Sequence, residues 1–439
     1  MRQRVDTASF DRWIDPADAW AALCEGRDAA FWLDSGPNAT TGRSYLGVAS
    51  ALTTDFEGPV LDWLRDQAHD VDTTAAPEGF RLGWVGWLGY ELRSETMGTP
   101  RTRRSRYPDA AWMLAEQCLV FDHATRSVSA LSLGDAGEYA AAVVEALDAA
   151  VPPAPPAEAF DAVPADVTWA YADATYLQLI RDCQSAIRKG DAYQLCLTTE
   201  ARVDARPDPF STYRRLRASS PTHHGALLVA GGVALLSASP EQFLAVSPDG
   251  VVTTKPIKGT RPRGESSAVD DELRHELEAS DKERAENVMI VDLMRNDIGR
   301  VSKVGTVGVT SLLTVESYAQ VHQLVSTVSG ELADGLTGID AIEACFPAGS
   351  MTGAPKRSAT LILDKLEDRP RGIYSGAFGY VGFDGAVDLA MVIRSIVVDE
   401  SGCTIGTGGG ITALSVPEEE LAEAKLKAAA LLAVLGAQP

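Results

Sequence analysis

The sequence predicts an α+β fold in which β-sheets are sandwiched by helices. Apolar, glycine-punctuated runs typical of strands recur along the chain, as in residues 227–238 and 376–398. Charged segments with helical spacing lie between them, as in residues 280–286. With 439 residues and 45% hydrophobic content, the chain can build one large core or two ordinary ones.

A proline-rich stretch gives the best domain boundary. Residues 138–150 are alanine-rich and helical, and residues 151–156 then read VPPAPP. Such stretches form stiff linkers. We therefore expect an N-terminal region at 1–150, a linker at 151–165 and a catalytic region at 166–437.

Composition excludes several classes of partner and site. The chain has 39 basic and 61 acidic residues, a net charge of −22, which argues against nucleic acid or an anionic membrane as partner. Six scattered cysteines without a CxxC pair predict neither a zinc site nor disulfides. No segment approaches 18 consecutive apolar residues and the N-terminus lacks an apolar signal core, so we expect a cytoplasmic protein.

Residues 255–264, KPIKGTRPRG, form the most informative run. Pro256 fixes the backbone, and Gly259 allows the backbone to approach a ligand closely. Lys258 stands between an isoleucine and a glycine, where an amine can lose solvent and react as a neutral nucleophile. The alternative is a basic loop on the surface.

This run resembles the hallmark of the chorismate-binding enzymes, which include anthranilate, isochorismate, salicylate and aminodeoxychorismate synthases. Most branches carry a small residue at the position of Lys258. With a lysine there, this chain resembles the aminodeoxychorismate synthase branch, in which that lysine is a covalent nucleophile. The resemblance covers nearly the whole chain. It implies an anthranilate synthase component I-like fold of two large packed antiparallel sheets flanked by helices, in α/β/β/α layers.

Glu241 is the candidate general acid. It lies in the segment SASPEQF, where a strand would turn, with Phe243 close behind. A carboxyl group in such an apolar setting can have a raised pKa and donate a proton. The alternative is a solvated turn carboxylate. In the family, the equivalent glutamate meets the lysine across one ligand.

Two carboxylate pairs lie on predicted helices. Glu283 and Glu286 share one helix face, and Glu420 and Glu423 share another. Each pair also has an ordinary explanation, in helix capping or in a surface pair of Glu423 with Lys427. Together they resemble the family's Mg²⁺ site, which implies that Glu286 and Glu423 touch the ion and that Glu283 and Glu420 act through water.

Arg394 is the candidate anion ligand. Alternation along residues 391–398 would place it on one face of a strand with Val392 and Ile396. A buried arginine needs an anionic partner. Asp388 could supply one, whereas the resemblance implies a substrate carboxylate.

The remaining substrate contacts follow from the resemblance. The glycine run at 406–411 resembles a glycine-rich loop of the family, and its free backbone N–H groups could form an anion nest. The positions that match substrate-binding residues of the family, besides Arg394, are Gly408, Gly409, Gly410, Tyr374, Ser350, Lys427, Gln194 and Thr260.

Two glutamines favour one branch of the family. Gln194 stands where the water-using branches have a lysine base, which points to ammonia as the nucleophile. Many members have a histidine where Gln323 stands, and its absence fits an enzyme that stops before pyruvate elimination. A shift of register would bring His322 to that place instead.

Ser35 and Arg43 lie in an N-terminal element that resembles one holding tryptophan in several members. The alternative is an ordinary hairpin. His223 and His224 stand where relatives have proline and an aromatic residue, so a tryptophan pocket remains one of two possibilities.

The resemblance implies that chorismate and ammonia are converted to 4-amino-4-deoxychorismate, for para-aminobenzoate and folate, through a Lys258 adduct and with Mg²⁺. The sequence shows no glutaminase module, so ammonia is expected from a separate glutamine amidotransferase subunit. The alternatives are an anthranilate synthase component I, an aminodeoxyisochorismate synthase, or a silent regulatory subunit that binds chorismate or tryptophan.

Overall fold

The structure is a computed structural model that describes residues 3–67, 70–153, 166–318 and 321–437. Most of the linker predicted at 151–165, namely residues 154–165, lies outside these ranges. In the described part of the chain, no helix is both long and apolar enough to cross a membrane.

The strands are β1 (Gln3–Arg4), β2 (Asp6–Ser9), β3 (Ala29–Asp34), β4 (Arg43–Val48), β5 (Ala51–Thr53), β6 (Val71–Asp72), β7 (Gly83–Leu88), β8 (Ala110–Ala115), β9 (Gln117–Asp122), β10 (Ser127–Ser132), β11 (Val167–Trp169), β12 (Gln194–Val203), β13 (His224–Ala230), β14 (Val233–Ser239), β15 (Gln242–Val246), β16 (Val251–Lys255), β17 (Ile257–Pro262), β18 (Gly308–Ser317), β19 (Val321–Glu331), β20 (Gly353–Ala354), β21 (Ala377–Gly382), β22 (Val387–Met391), β23 (Ser395–Asp399) and β24 (Gly402–Ile411).

The α-helices are α1 (Pro16–Leu23), α2 (Val60–Asp66), α3 (Arg93–Thr96), α4 (Ala136–Ala149), α5 (Asp173–Arg188), α6 (Pro209–Ser219), α7 (Ser267–Ala279), α8 (Asp281–Gly299), α9 (Gly338–Cys345), α10 (Lys356–Glu367) and α11 (Pro417–Val434). Short 3₁₀ turns lie at Tyr90–Leu92 and Gly349–Met351.

Two large antiparallel sheets organise the molecule. The twelve-stranded sheet runs in the order β11-β12-β24-β23-β14-β13-β3-β4-β9-β10-β2, with β20 beside β12. The ten-stranded sheet runs β17-β19-β16-β15-β22-β21-β7-β8-β5, with β18 beside β19. The predicted α+β class, with two large antiparallel sheets, is confirmed.

The sheets pack face to face and helices cover their outer faces. Phe31 of β3 contributes to the core between the sheets together with Trp87 of β7. The next residue, Trp32, points the other way, into the core beneath α1, α6 and α11. A third core lies between the ten-stranded sheet and helices α2, α8 and α9. Burying each large side chain stabilises the fold by roughly 1.5–3 kcal/mol.

Both regions of the chain contribute to both sheets. Strands from the first 132 residues form one continuous block in each sheet, and strands after residue 166 form the other. The blocks meet at β3–β13 in the larger sheet and at β7–β21 in the smaller one.

Candidate active site

A β-bulge aims the Lys258 side chain. β17 pairs with β19 through Ile257 opposite Val325 and Thr260 opposite Gln323, so two residues of β17 face one of β19 in between. Bulges of this kind redirect side chains and recur beside active sites. Lys258 is half-buried here, and its charge acts on carboxylates of both acidic helices, as described below.

Gly259 permits this bulge to lie against α7 and the start of α8. Its φ is +81°, in the region that favours glycine. A Cβ there would come within 2.7 Å of Leu277 Cδ1 and 3.1 Å of Glu283 Cβ. A side chain at this position would therefore push the lysine-bearing strand away from the acidic helix.

Glu241 is buried beside Lys258. Only 8% of the residue is exposed, and burial raises the pKa of its carboxyl group. The Lys258 charge and a hydrogen bond from Ser350 work in the opposite direction. Ser350 itself is buried in the turn Gly349–Met351. The predicted acid and nucleophile are thus neighbours, and the environment favours a protonated acid.

The first carboxylate pair lies in the first turns of α8. Glu286 is half-buried, and burial raises its pKa while the Lys258 charge lowers it in part. Glu283 lies 3.8 Å from the guanidinium of Arg261, the arginine of the lysine-bearing strand. The predicted cap is present as well, because the backbone N–H of Glu283 donates to Ser280 Oγ at 3.4 Å.

The second pair lies in the first turns of α11. Glu420 is buried, and burial raises its pKa. Burial acts in the same sense on Glu423, but an ion pair with Lys427 at 2.6 Å helps to hold its pKa below the ordinary value. Lys427 also donates to the Gly408 carbonyl at 3.0 Å, which ties α11 to β24. Lys258 and Lys282 also lower the pKa of Glu423.

Glu283, Glu286, Glu420 and Glu423 together form the carboxylate cluster. Lys282 is a neighbour of this cluster that sequence reasoning missed. It stands one residue before Glu283, and its Nζ lies 4.0 Å from Glu420 Oε1, which links α8 to α11. From sequence it is one more lysine on a charged helix. Its interaction with Glu420 depends on how closely α11 approaches α8, which the sequence does not record.

The expected strand placement of Arg394 is wrong. β22 ends at Met391 and β23 begins at Ser395, and Arg394 occupies the break between them with φ +51°. Its side chain is accessible to solvent, yet the surrounding protein lowers its pKa, an effect that Tyr374 and Glu423 oppose. Arg394 therefore lies where the chain crosses from the ten-stranded to the twelve-stranded sheet, and its charge interacts with the Glu423 carboxylate of α11.

The alternative partner of Arg394, Asp388, belongs to a different cavity. It lies on β22, 3.8 Å from the His224 ring. The break in the strand separates it from Arg394. A ligand carboxylate remains the predicted partner of the arginine.

The glycine run predicted as a loop is a strand. Gly408, Gly409 and Gly410 belong to β24 and pair in register with β12. Small residues are needed because side chains press on this backbone: a Cβ at Gly410 would come within 2.1 Å of Gln194 Nε2. β23 pairs only with residues 402–404 of β24, so the far edge of the glycine run has no strand beside it among the described residues.

Gln194 is the most enclosed polar group of the site. It is 1% exposed, and its Oε1 has no hydrogen-bond partner among the described residues. A buried amide oxygen without a partner carries a cost of about 1–3 kcal/mol, which a bound donor would relieve. Its place next to Gly410 puts that acceptor beside the glycine strand.

Tyr374 and Thr260, two further predicted substrate contacts, differ in their exposure to solvent. Tyr374 is buried, and burial raises its pKa, while the Arg371 and Arg369 guanidinium groups lower it. Thr260 is exposed on β17. Both remain predicted substrate contacts.

Strand register places Gln323 and His322 on opposite faces of the sheet. Gln323 lies opposite Thr260, and directly opposed residues share one face of a sheet. His322 points to the other face, where its ring contacts Asp270 Oδ1 at 3.0 Å and Ser317 Oγ at 2.8 Å. The His322 ring therefore makes its polar contacts on the face of the sheet opposite to the one that Gln323 and Thr260 share.

The predicted tryptophan element surrounds a small cavity. Arg43 lines a space of about 60 Å³ with Tyr45, His223, His224 and Asp388 among its other walls. Ser35 fixes the strand that carries the arginine, because its hydroxyl donates to the Arg43 carbonyl at 2.8 Å. Tryptophan binding remains a prediction.

The carboxylate cluster has the donors that Mg²⁺ prefers. All four side chains offer oxygen, and the pair on each helix lies on one face. No three carboxylate, imidazole or thiol groups of the described residues lie close enough together to hold an ion. The described residues can therefore offer an ion at most two such groups at one point, and water or substrate would have to supply its remaining ligands.

Comparisons with known proteins show the family to which the chain belongs. The family model described as chorismate binding enzyme matches residues 28–433. Aminodeoxychorismate synthases of Streptomyces pristinaespiralis and Streptomyces griseus are 44% and 41% identical over 96% and 99% of this chain, which spans 64% of the length of each. Anthranilate synthase component 1 of Thermus thermophilus is 39% identical over 95% of this chain and 94% of its own length. The crystal structure of anthranilate synthase component I from Streptococcus pneumoniae TIGR4 superposes with a TM-score of 0.75 at 27% identity, covering 97% of this chain and 92% of that one. The chain therefore belongs to the chorismate binding enzyme family.

Proposed function

We propose that this protein aminates chorismate with ammonia to give 4-amino-4-deoxychorismate, and that Lys258 is the transient covalent nucleophile. The observation that carries the proposal is the position of the lysine. Its charge acts on Glu241 and on one carboxylate of each acidic helix, Glu286 and Glu423. Similarity to two proteins named aminodeoxychorismate synthase supports the same reaction.

In the first step, Lys258 attacks C2 of the cyclohexadiene ring through its unprotonated amine, so the proton that the lysine carries at rest must first pass to solvent. The ring double bonds shift, the C4–O bond breaks, and Glu241 gives its proton to the departing hydroxyl, which leaves as water. The raised pKa of Glu241 suits it to this role, because it lets the carboxyl group keep its proton to higher pH than an exposed glutamate would.

In the second step, ammonia attacks C4 and the double bonds shift back. The C2–N bond to Lys258 breaks, and the lysine leaves as a neutral amine. The new C4 ammonium returns one proton to the Glu241 carboxylate. One chorismate and one ammonia therefore give one product and one water, and both catalytic groups are restored.

Charged groups at either side orient the dianionic substrate. Arg394 binds the enolpyruvyl carboxylate through its planar guanidinium. Glu286 and Glu423 would hold Mg²⁺, with Glu283 and Glu420 acting through water. When bound, the ion supplies positive charge that holds the ring carboxylate.

Gln194 is the proposed ammonia acceptor. Its buried Oε1 can accept a hydrogen bond from ammonia, whereas an amide cannot deprotonate water. We propose that a separate glutamine amidotransferase subunit delivers the ammonia, in the cytoplasm. Free ammonium should replace that subunit in vitro.

The test is product analysis with chorismate, ammonium and Mg²⁺. We expect 4-amino-4-deoxychorismate, which gives para-aminobenzoate only after a lyase is added. Intact-protein mass spectrometry without ammonia should trap chorismate less one water on the wild type and on a Lys255→Ala control, but not on Lys258→Ala. Wild-type turnover by Lys258→Ala would refute the covalent role.

The second candidate is an anthranilate synthase. The favouring observation is the 39% identity of this chain to Thermus thermophilus anthranilate synthase component 1 over 95% of its residues. Fluorescent anthranilate appearing in the same reaction without a second enzyme would establish it.

A further inference from the structure

Four cationic side chains of β17, α8 and α11 lie around the four carboxylates of α8 and α11. Three of these cations have positions fixed by other contacts. Arg261 also binds Glu276 at 3.1 Å, Lys427 donates to the Gly408 carbonyl at 3.0 Å, and the bulge of β17 directs Lys258. Lys282 is the fourth cation.

Lys282 is the most loosely held of the four. Its side chain is 61% exposed, and its ammonium lies 4.0 Å from Glu420 Oε1, beyond hydrogen-bond distance. Burial of part of the side chain lowers the pKa of Lys282, but the four carboxylates together outweigh that effect and raise it. The ammonium thus lies where the negative potential of both helices adds.

We propose that Lys282 is a built-in counterion which a divalent cation must displace from the carboxylate cluster. The inference rests on the proposed metal site. A flexible four-carbon stem lets the ammonium swing into solvent when an ion enters, and the ion then neutralises the carboxylates in its place. Lys282 thereby weakens divalent-ion binding and stabilises the cluster without one.

The size of the effect follows from Coulomb's law. A single and a double positive charge about 6 Å apart in a water-like dielectric repel each other enough to change affinity about tenfold. Salt screens this repulsion, since the Debye length is about 8 Å at physiological ionic strength and about 3 Å at 1 M. The effect should therefore shrink in concentrated salt.

The experiment is calorimetric titration of the full chain with Mn²⁺ alone, without chorismate. Lys282→Gln should bind Mn²⁺ about tenfold more tightly than the wild type, whereas Lys282→Arg should match it. Lys425→Gln is the matched control: this lysine lies on α11 but its ammonium pairs with Asp173 at 2.7 Å. Its affinity should not change.

Unfolding supplies the second readout. Without divalent ions, Lys282→Gln should unfold at lower urea concentration than Lys282→Arg, and Mn²⁺ should close the gap. Equal or weaker Mn²⁺ binding by Lys282→Gln overturns the inference and leaves the metal site standing. No Mn²⁺ binding by any variant, the wild type included, overturns the metal site and this inference with it.

Discussion

Replacing Gly259 with alanine tests whether contact of the lysine-bearing strand with α7 and α8 builds the site. The left-handed backbone costs a non-glycine residue about 1–2 kcal/mol. The new methyl group would lie 2.7 Å from Leu277 Cδ1 and 3.1 Å from Glu283 Cβ, and such overpacking typically costs about 1–3 kcal/mol. We expect the free energy of unfolding to fall by about 2–5 kcal/mol.

Gly385 offers a matched control. It has the same φ of +81°, in the turn between β21 and β22, and a Cβ there would meet nothing within 4 Å. The free energy of unfolding of Gly385→Ala should therefore fall only by the cost of the left-handed backbone, about 1–2 kcal/mol. Turnover should survive in this variant and fall steeply in Gly259→Ala, because only the latter displaces Lys258.

The assay is urea unfolding followed by tryptophan fluorescence, combined with turnover in saturating ammonium. Equal stability losses in the two variants would mean that strand and helix do not press on each other as described. Full turnover by Gly259→Ala would show that the position of the lysine does not depend on this glycine.

Two further predictions follow from buried groups of the site. Glu241 has a raised pKa, so the folded protein holds a proton there at pH values where the unfolded chain has lost it, and stability should fall as pH rises above about 4.5. Glu241→Gln removes that contribution, so its stability relative to wild type, measured by urea unfolding, should be greater at pH 8 than at pH 5; a constant difference would contradict the assignment. Gly410→Ala should cost about 1–3 kcal/mol by forcing the Gln194 amide aside. The double variant Gly410→Ala, Gln194→Ala should recover part of that loss in urea unfolding, and strict additivity of the two single changes would refute the contact.

The chemical groups of the site could be predicted from sequence, but their geometry could not. Lys258 and Glu241 stand in short segments whose spacing is typical of the family, and the structure brings them together. The bulge that aims the lysine depends on pairing with β19, which no local pattern records. Lys282 was missed for a similar reason, since its neighbours come from α11.

Local periodicity failed where tertiary contacts decide the backbone. Residues 391–398 alternate like one strand, yet the chain breaks at Arg394, whose positive φ ends the ladder. The glycines at 408–410 resemble a loop by composition, yet β12 pairs along them because small residues allow its side chains to approach.

The shared sheets bear on what a cut in the proline-rich segment would do. Each of the two junctions, β3–β13 and β7–β21, has six residue pairs in register, and large apolar side chains from both blocks fill the core between the sheets. A protease that severed the backbone there would leave a nicked protein in one piece. Either fragment made alone would expose a bare edge in both sheets and half of a hydrophobic interior, so each would aggregate unless its complement were present.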